Sequence, residues 1–368
     1  MAFDPNHLLR RSFIIDRNQE IAFCRLFVEE ASPDVLMPLM LRLANLDDSQ
    51  MTYLLPLDWV EDAVLLKKLS KNTVLATSPL GLGIRLTGEA REAGYRVAIE
   101  TNDLNATLGL ADFYLVPLSS VERTSPDTIL MQVDTAADFA RARNSGALYF
   151  DGRSPLDSVP ITTKPSINPA HATVLELIGE VQKVAEPKVI EALFKRDVTL
   201  SFKLLRYINS PFFGLNTRIE SVRHALNIMG YQQLFKWLSL LAATAGSGAS
   251  PALTQSAMMR ARLMELLGTK IMDKHDQNHL FITGMFSLLD RIMQAPLEQL
   301  LERANLPESV TQALLKSEGK YARILALARA CEGEALPEDE NFADIDIKTA
   351  NLAHLEAIEW VAQVAKSA

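Results

Sequence analysis

Apolar positions in the first 160 residues come in short runs separated by turn residues, whereas after residue 170 they recur at helical spacing. Phe13-Ile14-Ile15-Asp16, closed by a turn at Arg17-Asn18, and the run Ile21 to Val28 predict a strand pair, or a strand entering a barrel. Runs at 73–77, 95–99, 113–117, 128–133 and 147–150 predict further strands. Between them the spacing predicts helices over 33–46, 58–70 and 136–144, and a short one capped by Thr87 before Gly94. Strands alternating with helices indicate a parallel α/β arrangement. Residues 151–169 hold four prolines and show no periodicity, which marks a linker. The expected domains are therefore 1–161 and 162–368.

The second domain is helical throughout by pattern. Helices are predicted over 171–184, from Pro187, from Asp197 to Asn209, and from Ile219 to Gly230. Asn209, Ser210 and Pro211 stop the third of these, because proline lacks the amide hydrogen of an interior turn and disfavours helix in the residue before it. Gly230 suits a left-handed C-cap. The stretch 231–245 is apolar almost all round, with Leu234, Trp237, Leu238, Leu240 and Leu241, and predicts a central helix. Further helices are expected at 251–267, 275–292, 307–316, 321–331 and 348–365, with an acidic loop over 333–347.

The 368 residues suffice for two domains. A net charge of -8 opposes sequence-independent nucleic-acid binding, so no nucleic-acid partner is expected. No apolar run has the length of a membrane span, and MAFDPNHLLRRSF lacks a signal-peptide core. Cys24 and Cys331, far apart in sequence, suggest free thiols in a reduced, cytoplasmic protein. Nucleophile motifs, phosphate-cradling loops and dinucleotide fingerprints are absent from the sequence.

The stretch LLRYINSPFFGLNTRIESVRHALNIMG resembles the signature of the HDOD domain, an all-helical relative of the HD phosphohydrolases, through Ile208-Asn209-Ser210, Phe213-Gly214, Ile219, Ser221, Ala225, Met229 and Gly230. HD enzymes hold metal with a histidine, a His-Asp pair and a distal aspartate. The resemblance puts the pair on Ser287 and Leu288, after Phe281 and Gly284, and the earlier histidine on Gln255 or Ser256. The dipeptide His275-Asp276 is out of register and is expected to form a solvated helix start, with His279 one turn on.

Several pieces of the first domain resemble an EAL-type cyclic-di-GMP phosphodiesterase, a TIM-like barrel: the opening strand pair, GYRVAIETNDL, ADFYLVPL, and LMQVDTAADFARARNSGALYFDGR. That family binds two divalent metals through carboxylates. Here its ligand positions fall on Cys24, Glu100, Thr101, Leu115, Pro117, Met131, Asp134 and Asp151, most of them unfit for magnesium. A complete barrel of this type takes about 250 residues, so an incomplete one is expected, with helices or strands deleted and an open edge covered by the second domain or a second subunit. The fold class is thus α/β plus all-α: a truncated, degenerate EAL-like (TIM-type) barrel followed by an all-helical HDOD domain.

The resemblance implies a bacterial signal-transduction protein acting through protein contacts, without enzymatic activity, cofactor or metal. Other signalling proteins are the expected partners, and a homodimer is compatible with this. Candidate contact residues are Arg206, Phe212, Phe213 and Arg218 at the corner between the signature helices. The alternative is a receptor that binds cyclic-di-GMP or another nucleotide without hydrolysis, with Glu100, Asp103 and Asp134 as a remnant pocket. Asp134 and Asp138 are otherwise explained as charges at a helix N-terminus.

Overall fold

The short apolar runs become eight strands that close into one barrel in sequence order: β1 (Arg10–Ile15), β2 (Ile21–Phe27), β3 (Thr52–Pro56), β4 (Thr73–Thr77), β5 (Arg96–Glu100), β6 (Phe113–Pro117), β7 (Thr128–Met131) and β8 (Tyr149–Asp151). The structure, a computed structural model, describes residues 3–45, 51–60, 63–83, 85–120, 124–156, 169–209, 217–244, 250–337 and 341–367. The boundary expected at 161/162 lies outside these. Neighbouring strands are parallel from β2 to β8, while β1 is antiparallel to both β2 and β8.

The expectation of an incomplete barrel with an open edge is corrected. All eight strands are present, and β1 closes the ring. Strand closure needs few residues; the helices are what is short. They are α1 (Pro33–Leu43), α2 (Ala63–Lys68), α3 (Arg85–Glu92), α4 (Leu104–Thr107) and α5 (Ala136–Ala142). Between β6 and β7 the described residues hold only a 3-10 turn, Leu118–Ser120. The helix expected over 58–70 is instead a 3-10 turn at Leu57–Trp59 followed by α2.

Alternation along each strand sorts side chains between lumen and exterior. Ile14, Phe23, Leu54, Val74, Ala98, Phe113, Leu115 and Ile129 fill the lumen. Phe13, Ile15, Cys24 and Leu26 point outward into a core that continues through the helical domain. No helix separates β1 from β2, so the helical domain supplies the missing layer over them.

That domain comprises α6 (Pro169–Gln182), α7 (Pro187–Lys195), α8 (Val198–Ile208), α9 (Val222–Thr244), α10 (Pro251–Gly268), α11 (Lys274–Phe286), α12 (Leu289–Met293), α13 (Leu297–Ala304), α14 (Glu308–Leu315), α15 (Lys320–Ala330) and α16 (Ile347–Ser367). Gly230 does end one helical segment, with the positive φ of 71° that suits glycine, but its ψ of 171° is extended rather than left-handed helical, and the chain re-enters helix at once. The residue therefore kinks α9 and lets the buried Leu234 and Leu238 continue the core. Gly284 serves packing: a Cβ there would lie 2.6 Å from the Ala261 backbone, so it sets the close crossing of α10 and α11.

The two domains are zipped along residues 7–11. Leu9 N–H donates to Asn351 Oδ1 at 2.8 Å, Asn351 Nδ2 donates to His7 O at 2.9 Å, and Arg11 N–H donates to Cys331 O at 2.8 Å. The His354 Nδ1 lies 3.0 Å from Leu9 O, which only accepts, so this nitrogen carries the proton. Leu8 and Leu9 are fully buried in this seam.

Candidate functional site

The lumen is plugged at one end and polar at the other. Phe23, Phe113 and Tyr149, near the N-terminal ends of their strands, meet edge to face with centroids 5.1–6.0 Å apart. At the C-terminal end, where barrels of this type carry their sites, alternation brings Ser12, Arg25, Glu100, Met131 and Asp151 to the mouth. The Arg25 guanidinium stands 2.9 Å from Asp151 and 3.5 Å from Glu100, and Ser12 Oγ donates to Asp151.

This geometry separates the three proposed pocket residues. Glu100 belongs to the mouth. Asp103 caps α4 by accepting from Ala106 N–H at 3.1 Å. Asp134 accepts the Arg153 backbone N–H at 2.9 Å, so its helix-charge explanation is replaced by a loop-fixing one. Asp138 does close a capping box with Thr135 at the start of α5. Among the described residues, the group of three potential ligands whose donor atoms fall within 4.8 Å of one another is Asp4, His7 and Glu30, and none of the pocket candidates belongs to it. Cys24 faces away from the lumen, where burial pushes its thiol up to about 12.

Across the seam lies a second charged centre. Glu332 is 2% exposed and takes Arg11 Nη2 at 2.8 Å, Arg260 Nε at 3.2 Å and Arg260 Nη2. Arg260 Nη1 donates to Ser287 Oγ at 2.7 Å. Burial opposes ionisation of Glu332, but Arg260 and Arg11 outweigh it and hold the carboxyl below the ordinary range. The position that the HD resemblance gives to the metal-binding pair thus holds a buried guanidinium on Ser287, beside the fully buried Leu288. Ser256, the other aligned position, is fully buried, and its Oγ has no partner among the described residues.

Between the two centres opens a cavity of about 520 Å³. Arg11, Arg25 and Asp151 from the barrel, Arg153 and Asp134 from the loops after β8 and β7, and Arg291 and Glu332 from the helical domain line it. Phe27, Met131 and Leu156 form apolar wall. Sequence reasoning missed Arg11, Arg25, Arg260, Arg291 and Glu332. The one local signal was an arginine inside an apolar strand run, at Arg11 and again at Arg25.

The His275-Asp276 start is solvated only in part. His275 is exposed, but Asp276 accepts from Tyr321 Oη at 2.6 Å and pairs with Lys320 at 2.5 Å. The tyrosine proton is then committed, so His279 Nδ1, 3.1 Å from Tyr321 Oη, donates to it. Burial and the neighbouring His275 push His279 down to about 4. Arg206 and Arg218 are exposed and line one groove with Phe202 and Leu205. Phe212 and Phe213 lie outside the described residues. The signature asparagine has a plain role: Asn209 pairs both ways with the Ile219 backbone, each bond 2.8 Å, and so fixes the corner.

Residues 165–329 match the HDOD domain family, so an HDOD domain is present there. The cyclic di-GMP phosphodiesterase CdgJ of Vibrio cholerae serotype O1 is 31% identical over 206 residues, covering 55% of this chain and 47% of CdgJ. The protein YuxH of Bacillus subtilis is 25% identical over 236 residues, covering 62% of this chain and 57% of YuxH. The chain therefore spans about half the length of the curated relatives it matches. A crystal structure of a protein from Marinobacter aquaeolei VT8 covers 99% of this chain and 93% of its own at 14% identity, with a TM-score of 0.37, too low to carry argument. Among the described residues no helix is long and apolar enough to cross a membrane.

Proposed function

We propose that this chain is a non-enzymatic signalling protein that acts through protein contacts, built from a degenerate EAL-like barrel and an HDOD domain that have both lost their metal centres. The observation that carries the reading is a guanidinium in each place where the resemblance calls for a metal cation. Arg25 stands between Glu100 and Asp151 at the barrel mouth. Arg260 stands between Ser287 and Glu332 in the helical domain. An internal cation satisfies the remaining carboxylates without an ion and leaves no open coordination position for a water nucleophile.

The test is incubation of the full chain with cyclic di-GMP and either magnesium or manganese, with product followed by chromatography. No linearised dinucleotide is expected. Turnover that is lost in Glu100→Gln would sink the proposal. A second reading, a cyclic di-GMP receptor without hydrolysis, draws on the open barrel mouth and on the name of the Vibrio relative. It predicts metal-dependent binding heat that Glu100→Gln or Asp134→Asn abolishes.

A further inference from the structure

We infer that the cavity at the domain junction is a metal-independent binding site for a small phosphomonoester, held by arginines from both domains. Four arginines line it against three carboxylates, and Arg153 has a further carboxylate partner in Glu334 at 2.7 Å, in a protein whose net charge is -8. The carboxylates are already engaged: Asp151 by Arg25, Asp134 by the Arg153 amide, and Glu332 by Arg11 and Arg260.

Arg291 is the unmatched cation. Among the described residues its side chain makes no ion pair or hydrogen bond, and its Nε is buried without a partner. Two more donors are left over in the same cavity: Arg11, 3% exposed and paired with Glu332 through Nη2, and Arg153, paired with Glu334 through Nη2 at 2.7 Å, each bury an Nε that has no partner among the described residues. Buried guanidinium donors without acceptors are costly, and a phosphate dianion answers several at once because its oxygens match the guanidinium fork. The volume of about 520 Å³ lies in the range of small-molecule sites. Phe27 and Met131 offer an apolar surface for a ring or chain attached to the phosphate.

Because Arg25 and Arg153 belong to the barrel and Arg291 to the helical domain, an occupant bridges the two and stabilises their docking. The inference does not depend on the absence of catalysis: these side chains are neither metal ligands nor bases.

The experiment is titration calorimetry and thermal melting of the full chain in EDTA with inorganic phosphate, phenyl phosphate and cyclic di-GMP as separate probes. Phenyl phosphate is expected to bind more tightly than inorganic phosphate and to raise the melting temperature. Arg291→Ala should weaken it by about tenfold to a hundredfold, the worth of a charge-assisted hydrogen bond. Arg291→Lys, which keeps the charge without the fork, should fall between, and far-ultraviolet dichroism confirms that both variants fold. No binding of inorganic phosphate or phenyl phosphate at millimolar concentration overturns the inference, as does binding that Arg291→Ala leaves unchanged. Binding of cyclic di-GMP alone overturns the phosphomonoester class, and binding of it only after magnesium replaces EDTA favours the receptor reading.

Discussion

Glu332 is the residue whose loss the structure makes most expensive. Its carboxylate is 2% exposed, and it is shared by Arg11, 3% exposed on the barrel side, and Arg260, 2% exposed on the helical side. Glu332→Ala removes the acceptor and leaves two buried guanidiniums facing each other. Breaking a buried pair in this way costs about 3–5 kcal/mol, because the remaining charge keeps its desolvation penalty without its partner. For a chain of this size that corresponds to a fall in melting temperature of about 4–6 °C. The sign of the pH dependence follows from the depressed pKa of Glu332. Its stabilisation is complete above the unfolded carboxyl range and is lost as pH falls through the folded value. Differential scanning calorimetry and urea unfolding of wild type and variant at neutral pH give the measurement. A second variant isolates the cause. In Arg11→Met Glu332 keeps Arg260, so the loss should be well under that of Glu332→Ala and should fall on domain docking, read as faster proteolysis in residues 7–11. Equal stability of wild type and Glu332→Ala within about 1 kcal/mol would refute the reasoning.

Two further outcomes are expected. His354, fully buried and pushed down to about 3 by burial and by Arg11, stays neutral in the fold. The unfolded chain takes up this proton below its ordinary range near 6.5, so stability falls as pH drops from there toward 3, by about 2 kcal/mol between pH 7 and pH 5. His354→Asn, which retains a donor for Leu9 O, should remove that share of the slope in urea midpoints. An unchanged slope would assign it elsewhere. Asn209→Ala strips both bonds to the Ile219 backbone and should cost about 1–2 kcal/mol. Hydrogen exchange at the Ile219 amide should rise with it, and unaltered protection there would deny the asparagine its role at the corner.

Helix and strand placement was legible wherever periodicity and stop signals agreed. Asp197 and Asn209 bound α8 as expected, since one caps the first turn and the other precedes Pro211. β3, at Thr52–Pro56, was missed: its run is five residues long and ends in proline. α13 was missed as well, lying between two stretches already assigned to helices. Barrel closure was hidden because length counts whole strand-helix units, whereas this chain kept the strands, three to seven residues each, and shortened the helices. The junction could not be found from spacing at all. Arg11 and Glu332 are 321 positions apart, and nothing local marks either as the partner of the other.

The charged centres also explain why acids persist at positions whose metal the proposal takes to be gone. A carboxylate kept in a low-dielectric site needs a counter-charge, and without one it becomes neutral or destabilises the fold. Replacing every ligand by an apolar residue would be tolerated, as at Met131 and Leu288, but only if all the acids left together. Single substitutions meet the cost of an orphaned charge at each intermediate. An arginine avoids it by supplying the cation from the chain itself. Asp151, with Glu100 beside it, is then paired with Arg25, and Glu332 with Arg260 and Arg11. The second arginine on Glu332 comes from the other domain, so the state of this buried carboxylate would report whether the two domains are docked. A protein that signals by contact gains from that coupling, because any ligand or partner that shifts Arg11 also changes the environment of Glu332 in the helical domain.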